Sequence, residues 1–207
     1  MNDDEERVGI RAARSAERRE RIIEVASRQI IERGFENLSV NDLAAAIGMS
    51  VGGMYRYINT KTDLLVMACY DIYGELRDEL GDIAASAQPI EDKLARAIDV
   101  YLCACQTKQA QIAMMYREYR SLPGDAQQEY KERERAVANV FADLIRAGIR
   151  HGVFSPVDVA VLAMDIIFLG HMPAFKWWAL RDTVVIDELR REQIALVMSR
   201  LIPSSGK

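Results

Sequence analysis

Cysteine is scarce: Cys69, Cys103 and Cys105 are the three in 207 residues. The number is odd, and two positions apart on a helix point in different directions, which argues against a disulfide framework and against a metal cluster. Proline, at five, and glycine, at twelve, leave long stretches without strong breakers. Only residues 184–186 form even a short β-branched run, so an all-β chain is excluded and an all-α fold is predicted. A long uncharged apolar run is also missing. The most apolar region, residues 157–180, carries Asp158, Asp165, His171 and Lys176, which reads as a core helix and implies no membrane partner. No apolar leader follows Met1-Asn2-Asp3-Asp4-Glu5-Glu6, so a cytoplasmic address is expected. HExxH, a Walker loop, a nucleotide-binding glycine fingerprint and a nucleophile–base–orienter grouping are all absent, and no cofactor, metal or catalytic residue is expected.

Charge is more informative by position than in total. The net value is −4, yet residues 7–61 hold ten Arg or Lys against six Asp or Glu, and residues 62–207 hold seventeen against twenty-one. A basic head on an acidic body fits nucleic-acid binding by the head alone.

Periodicity divides the chain into nine helices. Residues 1–14 lack an apolar period and read as a flexible basic arm, with Arg7, Arg11 and Arg14 available to a minor groove or simply solvated. Ile22, Ile23, Ala26 and Ile30 define the first helix, closed at Gly34. Ser39 precedes a short second helix and Ser50 a third carrying Val51, Gly52, Gly53, Met54, Tyr55, Arg56 and Tyr57; Gly48 supplies the turn between them. The fourth is read as one rod over residues 61–84, about 35 Å long. Pro89, Lys108, Asp125, Pro156 and Ile186 open the remaining five, and Gly170 and Pro173 predict a bend in the eighth. The resulting divisions are an arm at 1–14, a helix-turn-helix domain at 15–60 and a ligand-binding and dimerisation domain at 61–207.

Residues 39–61, with Thr62-Asp63-Leu64-Leu65 after them, resemble the DNA-binding segment of the TetR family of transcriptional repressors, and chain length and helix count agree. The resemblance implies a three-helix head, a helical body, a double-stranded DNA operator of palindromic form, and a homodimer controlled by a small-molecule effector. It implies DNA contacts from Ser39, Ser50, Val51, Gly52, Gly53, Tyr55, Arg56, Tyr57 and Lys61. Tyr55 and Lys61 are the first choices for phosphate, and Arg56 serves either a guanine edge or a phosphate. Two adjacent glycines weaken a short helix by roughly 1 kcal/mol each relative to Ala, so Gly52 and Gly53 serve close approach rather than stability. The sequence departs from the family pattern at Val51, where Lys is frequent, and at Ile58, where Phe is frequent.

In the body, Phe168, His171, Phe175 and Trp178 fall on one helical face. With Tyr101, Cys105, Met115, Tyr119 and Phe141 they form the candidate effector lining, although each is also an ordinary core type, and His171 equally a satisfied core histidine. Leu162, Ile166 and Trp177 on the eighth helix and Leu189, Ile194, Val197 and Leu201 on the ninth are the candidate dimer surface. Arg117, Glu118 and Arg120, and the Lys131–Arg135 run, read as solvated faces or a cationic ligand mouth. The segments 116–123, 152–154 and 177–178 look like those of TetR-type repressors of fatty-acid and steroid breakdown. That likeness implies an acyl-coenzyme A effector, with a hydrophobic drug or another metabolite as rival. Competing readings are an enzyme on a helical bundle and a helical lipid-binding or interaction module.

Overall fold

Helix punctuation governs the architecture. The computed structural model describes residues 3–74 and 76–202, with side chains from residue 13 onward. Among them run α1 (Asp3–Arg33), α2 (Val40–Ala46), α3 (Val51–Met54), α4 (Asp63–Tyr73), α5 (Leu76–Ala85), α6 (Ile90–Thr107), α7 (Gln109–Glu118), a 3-10 turn (Tyr119–Ser121), α8 (Gly124–Arg150), α9 (Val159–Leu180) and α10 (Ile186–Leu201), with no strand. The predicted nine-helix plan is present, its fourth member divided in two.

Three boundaries differ from the sequence reading. The segment expected to be an irregular arm is helical from Asp3, a direct continuation of α1; the side chains of Arg7 and Arg11 lie outside the described residues. The expected rod over 61–84 is interrupted at Gly74, whose φ of 23° and ψ of −120° leave the helical region. The apolar stripe concealed this break because Leu65, Ile72, Leu76 and Leu80, on both sides of it, all enter the same core. The eighth predicted helix starts at Val159, not Pro156: the Asp158 carboxylate accepts from the amides of Ala160 and Val161, both at 3.1 Å, and so fixes its first turn.

One apolar cluster extends from Ile22 in α1 to Leu201 in α10. Ile22, Ile23, Ala26 and Ile30 of α1 are buried with Leu43, Ala44, Met54 and Ile58, which seats the two short helices. Arg117 is solvent-exposed and pairs with Glu118 at 3.2 Å, as expected of a solvated face, and its Nη1 also donates to the Ile31 carbonyl at 2.9 Å, fastening α7 to the last turn of α1. Lys108 pairs with Asp71 of α4 at 2.8 Å. The Lys131–Arg135 run is likewise engaged. Arg133 pairs with Glu129 at 2.8 Å, Tyr70 donates to Glu129 at 2.6 Å, and Tyr73 donates to Glu134 at 2.7 Å, so α4 is held against α8 by polar bonds.

By length and composition α9 is apolar enough to cross a bilayer, although the sequence reading placed it short of that. Its packing explains the composition. Ala163, Ile166, Ile167, Gly170, His171 and Pro173 are buried, while Val161, Met164, Phe168, Phe175 and Trp178 face outward. The helix remains continuous through Pro173. Proline cannot donate to the Leu169 carbonyl, and Gln193 Nε2 of α10 does so instead at 2.9 Å. Gly170 serves packing: a Cβ there would stand 2.5 Å from Tyr101 Cε1 and 3.0 Å from Cys105 Sγ. The Tyr101 hydroxyl continues past it and donates to the Ile167 carbonyl at 3.0 Å.

Candidate nucleic-acid interface and body groove

The two short helices are each started by a serine. Ser39 Oγ accepts from the Asp42 amide at 3.3 Å and Ser50 Oγ from the Gly53 amide at 3.0 Å, so both hydroxyls are occupied as N-caps. Between them Gly48 takes a φ of +68° and the Met49 amide returns to the Ala44 carbonyl at 2.8 Å, which reverses the chain within a few residues. The regular part of α3 is only Val51–Met54; Tyr55 caps it, and Arg56 and Tyr57 lie in the turn beyond.

The two glycines of α3 differ. A Cβ at Gly53 would meet Ser50 Oγ at 3.1 Å, so this glycine makes room for the cap, whereas a Cβ at Gly52 would meet nothing within 4 Å. Open space at Gly52, exposed Val51 and a half-exposed Tyr55 form a surface against which another molecule's backbone can approach closely. Lys61 is anchored: its Nζ donates to the Glu36 carbonyl at 2.9 Å and lies 4.7 Å from the Phe35 ring centroid. An ammonium has three donors, so two remain for an anion. Behind Lys61, Asp63 accepts from the amides of Asn59 at 2.7 Å and Thr60 at 3.0 Å and from the Thr60 hydroxyl at 2.8 Å. Burial opposes ionisation of this carboxyl, but these bonds outweigh it and lower its pKa below 3.8.

The body residues separate into two sets. Tyr101, Cys105, Met115 and Phe141 are buried, with Tyr101 edge-on to Phe141 at 5.4 Å between centroids. Burial pushes the Cys69 and Cys105 thiols up to about 12, so neither is a thiolate near neutrality. Phe168 and Trp178, expected beside them, are 59% and 65% exposed. Phe168 and Phe175 lie with Met172, Leu196 and Val197 on a groove of about 680 Å³ between α9 and α10. Ile166, Val197 and Leu201, placed on the candidate dimer surface, are buried within the chain. The predicted stripe of α9 is therefore split: Phe168, Phe175 and Trp178 turn outward while His171 alone turns inward, since spacing groups residues on a face without saying which part of it meets the core.

His171 joins the two sets. It is 1% exposed, and burial lowers its pKa to about 4, so the ring is neutral. Tyr73 donates to Glu134, which leaves the Tyr73 oxygen to accept from His171 Nε2 at 3.5 Å; Nδ1 then accepts from the Tyr116 hydroxyl at 3.0 Å. Sequence reading named His171 but missed Tyr73, Tyr116 and Glu134. Tyr73 and His171 are 98 residues apart, and no spacing rule joins them. Tyr119 is half-buried and its hydroxyl has no hydrogen-bond partner among the described residues.

A capped helix-turn-helix with an open second helix, on a larger helical body, defines a DNA-binding protein. A family model described as bacterial regulatory proteins, tetR family, matches residues 22–68, and one described as tetracyclin repressor-like, C-terminal domain, matches residues 87–201. The chain belongs to the TetR family and is a ligand-responsive transcriptional regulator. It is 26% identical to the HTH-type transcriptional regulator HbdR of Aromatoleum sp. (strain CIB), over 92% of this chain and 83% of that one. The ketosteroid transcriptional regulator KstR2 of Mycobacterium tuberculosis superposes with a TM-score of 0.75 at 20% identity, covering 90% of this chain and 96% of that one. AibR in complex with isovaleryl coenzyme A and operator DNA gives a TM-score of 0.70 at 18% identity, over 86% and 97%. At these identities the two structures speak to the fold.

Proposed function

We propose that this regulator is a cytoplasmic repressor without catalytic activity. It binds a palindromic operator as a homodimer and is released by a hydrophobic effector, with an acyl-coenzyme A thioester as the leading candidate. The observation that carries the reading is the outward face of α9 and α10. Val161, Met164, Phe168, Phe175, Trp178 and Leu196 are exposed on a single chain, an apolar concentration that soluble monomers rarely leave uncovered. A second copy related by a two-fold axis covers it and presents two heads to two half-sites about 34 to 36 Å, or a multiple, apart. In each head, residues 15–60, Tyr55 holds phosphate, joined by Lys61 directly after the head, while Val51 and Gly52 meet base edges.

The effector reading places its ligand within residues 61–207, against Tyr101, Cys105, Met115, Phe141 and the Tyr116–His171 pair. The N–H of a neutral imidazole or the hydroxyl of a flanking tyrosine can donate to a carbonyl, and the surrounding rings match an acyl chain. The isovaleryl coenzyme A bound to AibR and the ketosteroid connection of KstR2 support this chemistry. The test is a gel shift on the gene's own upstream DNA with a panel of acyl-coenzyme A thioesters. Discrete retardation that a thioester reverses is expected. Failure to retard overturns the operator, and indifference to the whole panel overturns the thioester.

A further inference from the structure

The first helix sorts its charge by face. Arg14, Arg18 and Arg19 line one wall of a groove of about 900 Å³ whose other wall is Arg56 and Tyr57, directly after α3. A smaller cleft of about 320 Å³ has Arg18, Arg21 and Arg56 facing the turn at Gly48 and the Ser50 and Gly53 side of α3. Glu17, Glu20 and Glu24 occupy a different face, where they line a separate groove with Asp71 and Lys108 of the body. Arg21 and Arg28 are paired with Glu24. Among the described residues, no carboxylate lies within ion-pair distance of Arg14, Arg18, Arg19 or Arg56.

Arg14 and Arg18 are one helical turn apart, a like-charge spacing that weakens a helix, and Arg56 adds a third positive group across the groove. Nothing in the packing rewards that repulsion, since all three side chains are exposed. A polyanion along the groove does reward it: guanidinium forks match phosphate oxygens in geometry, and binding releases the counterions condensed on a duplex. The glutamates of the same helix are confined to the body side, where they do not oppose such a ligand.

We infer that this arginine groove is a second DNA-contact surface, holding backbone phosphates of the duplex flanking the base pairs met by α3. The inference rests on the DNA-binding reading above. It also assigns Arg56. Arg56 lines a cleft with Ser50 and Gly53 of the recognition segment and with Arg18 and Arg21 of α1, and in that company of arginines it holds a phosphate and not a base edge.

The experiment compares wild type, an Arg14→Ala/Arg18→Ala double variant and Arg56→Ala on the upstream duplex, with native flanks and trimmed to the central footprint, over a range of salt. Both substitutions in the double variant place the best helix former at exposed helical positions, and circular dichroism checks the fold. On flanked DNA the log–log salt slope should become shallower by about 0.9 for each phosphate that is no longer neutralised. Hydroxyl-radical protection should disappear from the flanks while preference for the upstream sequence over a scrambled duplex is retained. Trimming the flanks should bring wild type to the level of the double variant. An unchanged slope for the double variant on flanked DNA, with wild type binding normally, overturns the groove alone. Loss of discrimination at a single base pair on Arg56→Ala overturns the assignment of Arg56. Wild type that ignores every duplex overturns the DNA-binding reading and this inference with it.

Discussion

Glycine does opposite work in the head and in the body. In α3 a Cβ at Gly52 would project into open space, whereas at Gly170 it would meet the Tyr101 ring, and at Gly148 it would enter the space of the Phe154 ring. The head keeps a surface clear for something outside the chain; the body clears room for its own aromatic rings. Polar groups follow the same division. Tyr55 and Arg56 remain exposed without a described partner, while Tyr73, Tyr116, His171 and Glu134 complete one another across four helices. The head leaves α3 open to a partner, whereas the interior of the body completes itself.

Acid should separate the two regions most strongly. His171 has a folded pKa of about 4, against 6.5 for the free side chain, because burial disfavours the imidazolium. Below about 6.5 the unfolded chain takes up a proton that the folded chain refuses until about 4. Stability is therefore complete above that window and falls by about 3 kcal/mol across it. The groups around His171 do not compensate, since burial raises the pKa values of Tyr73, Tyr101 and Tyr116 and leaves them neutral in acid. Asp63 in the head has the opposite shift: its lowered pKa contributes stability above 3.8 that disappears only as pH falls further. Both tryptophans, Trp177 and Trp178, lie in the body, so their fluorescence during denaturant titrations should report body weakening between pH 6.5 and 4. His171→Gln should flatten that slope, and a slope that survives the substitution breaks the assignment.

The glycine contrast gives the next effect. Gly170→Ala should destabilise the fold by about 1–3 kcal/mol through overpacking against Tyr101 and Cys105, read as a lower Tm or denaturant midpoint. Pairing it with Tyr101→Phe, which keeps the ring but removes the hydroxyl bond to Ile167, should not restore stability, because the clash is with the ring. Restoration would place the strain at the hydroxyl instead.

A smaller effect distinguishes two residues that the sequence groups together at phosphate. Lys61→Ala removes the bond to the Glu36 carbonyl and the approach to the Phe35 ring, and should lower stability by about 1 kcal/mol besides weakening DNA binding. Tyr55→Ala, at a position 52% exposed, should stay within about 0.5 kcal/mol of wild type and affect DNA binding alone. Equal stability losses in thermal melts would erase the distinction between an anchored side chain and a free one.

Much of this organisation is legible in the sequence because capping chemistry is local. Ser39, Ser50 and the glycines at 34, 48 and 152 fix helix ends through their own or adjacent backbone, and each stands where the sequence places an end. The break at Gly74 is not legible, because the apolar stripe continues on the far side. Nor is the helicity of residues 3–14, which precede the apolar stripe of α1 without an apolar period of their own. The outward turn of Phe168 and Trp178 depends on which face of α9 meets α6 and α8, and periodicity is silent on that. Arg117 and Glu134 look like surface charges in sequence; only the fold brings the Ile31 carbonyl and Tyr73 to them.

The finest test of the contrast is Gly52→Ala. Alanine is the stronger helix former by about 0.8–1 kcal/mol in a helix interior, and no atom lies within 4 Å of the new methyl group. Substitution should therefore leave the fold unharmed and raise its stability by up to about 1 kcal/mol, with less expected because α3 is only four residues long. Gly53→Ala, one residue along, should not share the gain, since its methyl would press on Ser50 Oγ at 3.1 Å and disturb the cap. If Gly52 keeps α3 open to a major groove, the more stable Gly52→Ala protein should bind the upstream DNA less tightly, and its salt slope should stay the same because the same phosphates are neutralised. Thermal melts and binding isotherms on one preparation decide the matter. A variant that is both more stable and equally good at binding would leave Gly52 without a role at the interface, and the opposition between the glycines of the head and the body would then rest on Gly53 and its cap.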